Sequence, residues 1–110
     1  MQYSFLAEFF KALSHPLRLR VLDALREGPV SVSELREKLG VEQSTLSQQL
    51  AVLRSKRLVL TQRRGTTIRY RVSDPAILSL LDAAMAIFDN QLVSMRADLD
   101  DLEQISRRVG

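Results

Sequence analysis

The sequence predicts a mainly α fold with a small β-hairpin, in the order α-α-α-α-β-β-α. Three observations predict it: apolar residues recur at helical spacing over most of the chain, the period switches to two near residue 68, and helical spacing resumes after Pro75. At 110 residues the chain supports one core, so residues 1–110 are read as a single domain.

Phe5, Leu6, Phe9, Phe10 and Leu13 follow helical spacing, giving a first helix over about 4–14 with a crowded aromatic stripe that ends near Ser14-His15-Pro16. Pro16 suits the first turn of a second helix, which carries Leu17, Val21, Leu22 and Leu25 inward and stops at Gly28-Pro29. Ser31-Val32-Ser33-Glu34 fits a capping box and opens a short third helix with Leu35 and Leu39 inward, ending at Gly40. After the turn Gly40-Val41-Glu42, a fourth helix buries Leu46, Leu50 and Leu53 at i, i+4 and i+7. Ile68, Tyr70 and Val72 then alternate with Arg69 and Arg71, and Leu58 to Thr61 is their antiparallel partner. Arg63-Arg64-Gly65-Thr66-Thr67 form the connecting turn.

From Pro75 a last helix runs without Gly or Pro to about residue 107. Along it Leu78, Leu81, Met85, Phe88, Leu92, Met95, Leu99 and Leu102 are separated alternately by three and four residues. This is a heptad seam. A helix of about 33 residues is ~50 Å long, whereas a compact domain of this size has a radius of gyration of only ~13 Å. Either the helix bends back after Asp98-Asp100-Asp101, or a second chain covers the seam. With the aromatic stripe of the first helix added, the apolar supply exceeds what one small domain can bury. The expectation is a homodimer through the helices at about 4–14 and 75–107, with Phe5, Phe9, Leu81, Met85, Phe88 and Leu92 in the contact.

The N-terminus has no basic leader before its apolar stretch, and Glu8 interrupts that stretch, so no secretory signal is expected. The region Ala76 to Phe88 contains Ser79 and Asp82 and falls short of the ~20 residues that span a bilayer. The chain reads as soluble and cytoplasmic, without a membrane partner. It has no cysteine and one histidine, which excludes disulfides and thiolate zinc sites. With no Gly-rich phosphate loop either, no nucleophile and base pair can be named, and an enzyme is not expected.

Charge is divided unevenly. The net +3 conceals a window from Gln43 to Ser73 with no acidic residue and seven basic ones, Arg54, Lys56, Arg57, Arg63, Arg64, Arg69 and Arg71. The remainder of the chain nets −4. The window coincides with the fourth helix and the hairpin, and third helix, tight turn and fourth helix have helix-turn-helix spacing over about 32–55. The hairpin over about 58–72 is then a wing. A recognition helix needs one face anchored in the core and the other bearing groups that fit the major groove. Leu46, Leu50 and Leu53 meet the first demand, and Gln43, Ser44, Thr45, Ser47 and Gln48 the second. Arg54, Lys56 and Arg57 follow the helix, Arg63 and Arg64 occupy the wing tip, and Arg69 and Arg71 project from the solvent face of its second strand, all as phosphate binders that fix register on double-stranded DNA.

These segments resemble the ArsR/SmtB group of dimeric winged-helix bacterial regulators. The resemblance is carried by Lys11-Ala12-Leu13-Ser14-His15-Pro16-Leu17-Arg18-Leu19-Arg20-Val21-Leu22, by Gln43 to Arg54, and by the wing from Arg63 to Tyr70, and covers about Phe9 to Leu92. It implies a two-fold dimer that binds a partly palindromic operator, as repressor or activator, and in many members releases DNA on binding a metal or another effector. Where thiolate-using members carry Cys-Val-Cys, this chain has Ser31-Val32-Ser33, and where others place Asp and His on the last helix it offers Asp82 and Asp89 without a histidine. Hydroxyls replace soft thiolates poorly. A divalent transition metal such as nickel or zinc would be left with His15 and scattered carboxylates. The alternative reading is a winged-helix protein-interaction module without a sensing site, and no feature specifies an accessory protein.

Overall fold

A computed structural model describes residues 2–109. Five helices and three strands follow in the order α1 (Tyr3–Leu13), α2 (Pro16–Ala24), β1 (Val30–Ser31), α3 (Val32–Leu39), α4 (Gln43–Ser55), β2 (Val59–Arg64), β3 (Thr67–Val72) and α5 (Pro75–Val109). Residues 2–78 form one compact unit and residues 79–109 a second, made of the remaining length of α5.

In the first unit the core is a leucine and valine cluster. Val21 and Leu22 of α2, Leu35 of α3, Leu46, Leu50 and Leu53 of α4 and Val59 of β2 are its largest fully buried side chains. Leu13, Leu17, Leu25, Leu58 and Ile77 close its margins. Of the first helix only Ala12 and Leu13 are buried, while Phe5, Leu6 and Phe10 are exposed. Phe9 is half-buried and meets Phe10 edge-on, with ring centroids 5.7 Å apart.

Helix boundaries follow local hydrogen-bond chemistry. His15 is the N-cap of α2: its Nδ1 accepts the Leu17 N–H at 3.1 Å, with Pro16 in the first turn. Ser31 caps α3, accepting the Glu34 N–H at 3.3 Å. The capping box differs in one respect, because the Glu34 carboxylate accepts from the Ser31 hydroxyl at 3.1 Å. Gly40, at φ 63°, ends α3 in the left-handed conformation that glycine adopts without steric strain.

Two boundaries depart from the sequence expectation. The second helix stops at Ala24, four residues before Gly28. The Leu25 N–H is shared between Val21 O and Leu22 O, and this tightening converts the chain to a turn that still keeps Leu25 buried. The hairpin is also part of a three-stranded antiparallel sheet in the order β1-β3-β2. Val30 pairs with Tyr70 and Ser31 with Arg69. Two residues are too few to show a period, so β1 leaves no pattern in the sequence.

In the second unit the helix continues without a break to Val109, so the chain does not turn back after Asp98. Met85, Phe88, Leu92, Met95, Leu99 and Leu102 of the heptad seam are each about half exposed or more. Over α5 an 18-residue window averages a hydropathy of 1.4, so by length and composition the helix could cross a membrane. The stretch before Asp89 is too short by itself, but apolar residues continue beyond it within the same unbroken helix.

Truncating Leu53 to Ala at the centre of this core is expected to destabilise the fold by about 2–5 kcal/mol. Replacing Gly40 by Ala should cost about 1 kcal/mol through strain at its positive φ. Denaturant unfolding at fixed protein concentration measures both.

Candidate nucleic-acid interface

Helix α4 is held by α2, α3 and β2. With Leu46, Leu50 and Leu53 at or below 1% exposure, its rotation about its own axis is fixed. The residues that remain outside are Gln43, Ser44, Thr45, Ser47, Gln48 and Ala51. All the expected base-reading side chains are therefore on one exposed side of one helix. Gln43 is partly engaged, its Oε1 accepting from Arg36 Nη1 of α3 at 3.3 Å.

Arginines on the earlier helices tie this unit together, a role that their sequence positions alone do not reveal. Arg18 of α2 donates from Nε to Gln49 Oε1 of α4 at 2.8 Å and from Nη1 to Ala12 O at 3.1 Å. One guanidinium thus bridges the last turn of α1 to the inner flank of the recognition helix. Arg20 donates to Leu39 O at 2.8 Å, satisfying a carbonyl at the end of α3. The HPLRLR segment contained the signal, since Arg18 and Arg20 interrupt an otherwise apolar helix.

The wing differs from expectation in its tip. Arg63 and Arg64 belong to β2, paired with Ile68 and Thr67, and the loop is only Gly65-Thr66. Gly65 takes φ 65° while Thr66 does not enter positive φ, the pattern of a type II′ turn whose twist matches the strands it joins. Adjacent residues of a strand point to opposite faces, so the two arginines flank the tip on either side. Both are exposed.

Arg69 and Arg71 are also corrected. Their register partners Gln62 and Leu60 place them on the face opposite Val59 and Val72, as expected. However, both are half-buried rather than projecting, and their Nε atoms are buried without a hydrogen-bond partner. β3 is the central strand, and Arg69 there lies between Ser31 of β1 and Gln62 of β2, whereas Arg71 is paired only with Leu60 of β2. Arg54, Lys56 and Arg57 at the end of α4 are exposed. None of the seven basic residues in the acid-free window forms an ion pair among the described residues, which leaves their charge available to an external anion.

The metal expectation meets the geometry less well. His15 Nδ1 is occupied by its capping bond, and no group of three or more His, Asp or Glu side chains that could hold a metal occurs among the described residues. The donors within one chain do not fit a metal site.

A helix-turn-helix domain family model matches residues 13–62, the stretch from the end of α1 into the wing. The chain is 43% identical over 101 residues to an uncharacterized HTH-type transcriptional regulator, Rv0081, of Mycobacterium tuberculosis, covering 91% of this chain and 89% of that protein. Its crystal structure superimposes with a TM-score of 0.77 at 42% identity, covering 84% of this chain and 93% of that one. A solution structure of the Mycobacterium bovis protein Mb0332, described as a homodimeric winged helix-turn-helix domain of a possible ArsR-family regulator, superimposes with a TM-score of 0.73. There the identity is 30%, covering 82% of this chain and 83% of that one.

The chain belongs to the ArsR/SmtB family of winged helix-turn-helix transcriptional regulators. A biofilm growth-associated repressor of Xylella fastidiosa is similar as well, 44% identical over 85 residues, 77% of this chain and 75% of that one. The family-model match spans α2, α3 and α4 and reaches into β2.

Arg18 and Gln49 are expected to be energetically coupled. A double-mutant cycle of Arg18→Ala and Gln49→Ala, read by denaturant unfolding, should return an interaction of about 1–3 kcal/mol, since the bond has a charged donor and is partly buried.

Proposed function

We propose that this regulator acts as a homodimer that inserts one α4 from each copy into successive major grooves of a partly palindromic operator. The observation that carries the proposal is the exposed face of α4 flanked by unpaired arginines. Gln43, Ser44, Thr45, Ser47 and Gln48 would meet base edges, and Arg54, Arg57, Arg63, Arg64 and Arg69 the phosphates on either side. The half-buried Arg69 contributes mainly field, whereas Arg63 and Arg64 straddle the backbone. Pairing through α1 and α5 is supported by the apolar surface both helices leave exposed and by the homodimeric relative. In such a dimer Phe5, Phe9, Leu81, Met85, Phe88 and Leu92 are shielded from water, and two α4 helices about 34 Å apart match one turn of B-DNA.

Repression, by occupying promoter DNA in the polymerase's place, is supported by the relative named a repressor. The long apolar helix is read as a pairing surface, with the protein working in the cytoplasm beside its DNA. The protein-interaction reading has no observation in its favour that the DNA reading lacks. A divalent transition metal such as nickel or zinc is the effector this reading names, and its donors would be drawn from both copies, because those of one chain do not gather into a group of three among the described residues. Footprinting its promoter with added nickel, zinc or chelator tests this: a footprint that one metal weakens and chelator restores is expected, and an unchanged footprint under all of them removes the metal.

Binding to the operator should fall steeply with salt. Removing both Arg63 and Arg64 by alanine substitution is expected to weaken binding to every duplex alike and, with two arginines lost from each of two copies, to reduce the slope of log affinity against log salt by about 4. Gln48→Ala should instead cost about 1–3 kcal/mol at the operator and little on random DNA, measured by anisotropy titration. If neither substitution moved affinity, the DNA reading would be wrong. Separately, Leu92→Glu should yield monomers in sedimentation and abolish tight operator binding.

A further inference from the structure

Between the end of α4 and the outer strand of the wing lies a groove of about 380 Å³ lined by Arg54, Arg57, Val59, Leu60, Thr61 and Arg71. Three arginines line it, and no acidic residue does. Like charges gathered in one depression repel one another in the free protein. An oxyanion entering the groove removes that repulsion and supplies acceptors for the donors.

The backbone of Arg57 indicates that this clustering is maintained against local cost. Arg57 is the one non-glycine residue at positive φ among the described residues, at 58°. It occupies the left-handed position that closes α4. The Leu58 N–H donates to Leu53 O at 2.9 Å and the Arg57 N–H to Arg54 O at 3.0 Å, the paired bonds of a Schellman end. Glycine is the residue such a position favours, and this chain uses glycine, Gly40 at φ 63°, to end α3. At Arg57 it accepts the strain of a side chain instead. Nothing within the fold repays it, since the Arg57 guanidinium has no hydrogen-bond or ionic partner among the described residues. Strain held at a position whose side chain has no internal partner directs attention to an external one.

Arg71 adds an independent sign. Its Nε is buried without a partner, and its Nη1 reaches only Val72 O at a long 3.4 Å. A guanidinium is a planar fork of five donors suited to two oxygens of a phosphate, and of this one only Nη1 has a hydrogen-bond partner among the described residues.

We infer that the Arg54–Arg57–Arg71 groove seats a single phosphate of the DNA backbone, next to the bases that α4 reads, and that Arg57 is held in its left-handed conformation for this interaction. The inference rests on the DNA-binding reading above and assigns one phosphate to one pocket. The phosphate clamps the end of the recognition helix to the root of the wing, so the two elements engage the duplex in a fixed relation.

The test separates stability from binding. Arg57→Gly relieves the strain, so its melting temperature is expected to rise. Its operator affinity should fall at least about fivefold at about 0.15 M salt, with a salt slope smaller by about 2, as expected when one phosphate in each half-site is no longer neutralised. A set of operator duplexes, each with one neutral methylphosphonate linkage, then locates the phosphate. At one linkage per half-site the lesion should weaken the wild-type protein more than it weakens Arg57→Gly, which keeps only Arg54 and Arg71 in the groove. Lesions that weaken both proteins equally at every position, or an Arg57→Gly protein with unchanged affinity and slope, would overturn the inference. Inorganic phosphate at matched ionic strength tests the other source of the same chemistry. Protection of the wild type alone from thermal unfolding, without any coupled linkage, assigns the groove to a free anion and overturns the DNA assignment. If the wild-type protein bound no promoter fragment, the DNA-binding reading and this inference would fall together, whereas tight wild-type binding with an unaltered variant removes only the inference.

Discussion

The structure depends on one row of side chains, Leu46, Leu50 and Leu53, buried against the helices and strand around α4. A helix that buries a stripe has no freedom left to rotate, so burying these three decides where Ser44, Thr45, Ser47 and Gln48 point. Hydrophobic burial here sets direction as well as stability, since slipping the row by one residue would swing the polar side chains through ~100°. The polar ties come second to it. Arg18, Arg20 and Arg36 join helices whose positions the leucines have already set, and each uses a donor on an acceptor that would otherwise lack a partner.

What the sequence made legible follows from this. Wherever structure rests on repetition, the residues announce it: the leucine row of α4, the strand β3, the unbroken helix α5 and the caps at Ser31 and Gly40 all lie where periodicity and capping chemistry place them. Wherever structure rests on one long-range meeting, the residues are silent. The strand β1 exists because β3 offers an edge to Val30 and Ser31, and the early end of α2 exists because Leu25 must stay buried. The half-burial of Arg69 goes with the third strand, whose Ser31 is its register partner.

The candidate interface was legible to a similar degree. Its charge came from counting, because a window without a single acid is visible in any linear reading. Its shape did not, because Arg54, Arg57 and Arg71 approach one groove from two elements and their neighbourhood depends on how α4 ends. A left-handed arginine is invisible in a sequence, where only glycine advertises that conformation. His15 gives the converse lesson: the lone imidazole drew interest as a metal donor, and its nearest task is holding the first turn of α2.

The exposed seam of α5 has a consequence for dosage. In a regulator that pairs through that seam, a single copy exposes a row of methionine, leucine and phenylalanine side chains to water, so folding and assembly draw on the same apolar surface. Below the concentration at which copies pair, the amount of operator-competent protein grows as the square of the amount synthesised. A modest change in expression would then produce a disproportionate change in promoter occupancy, giving a threshold response before any effector is involved.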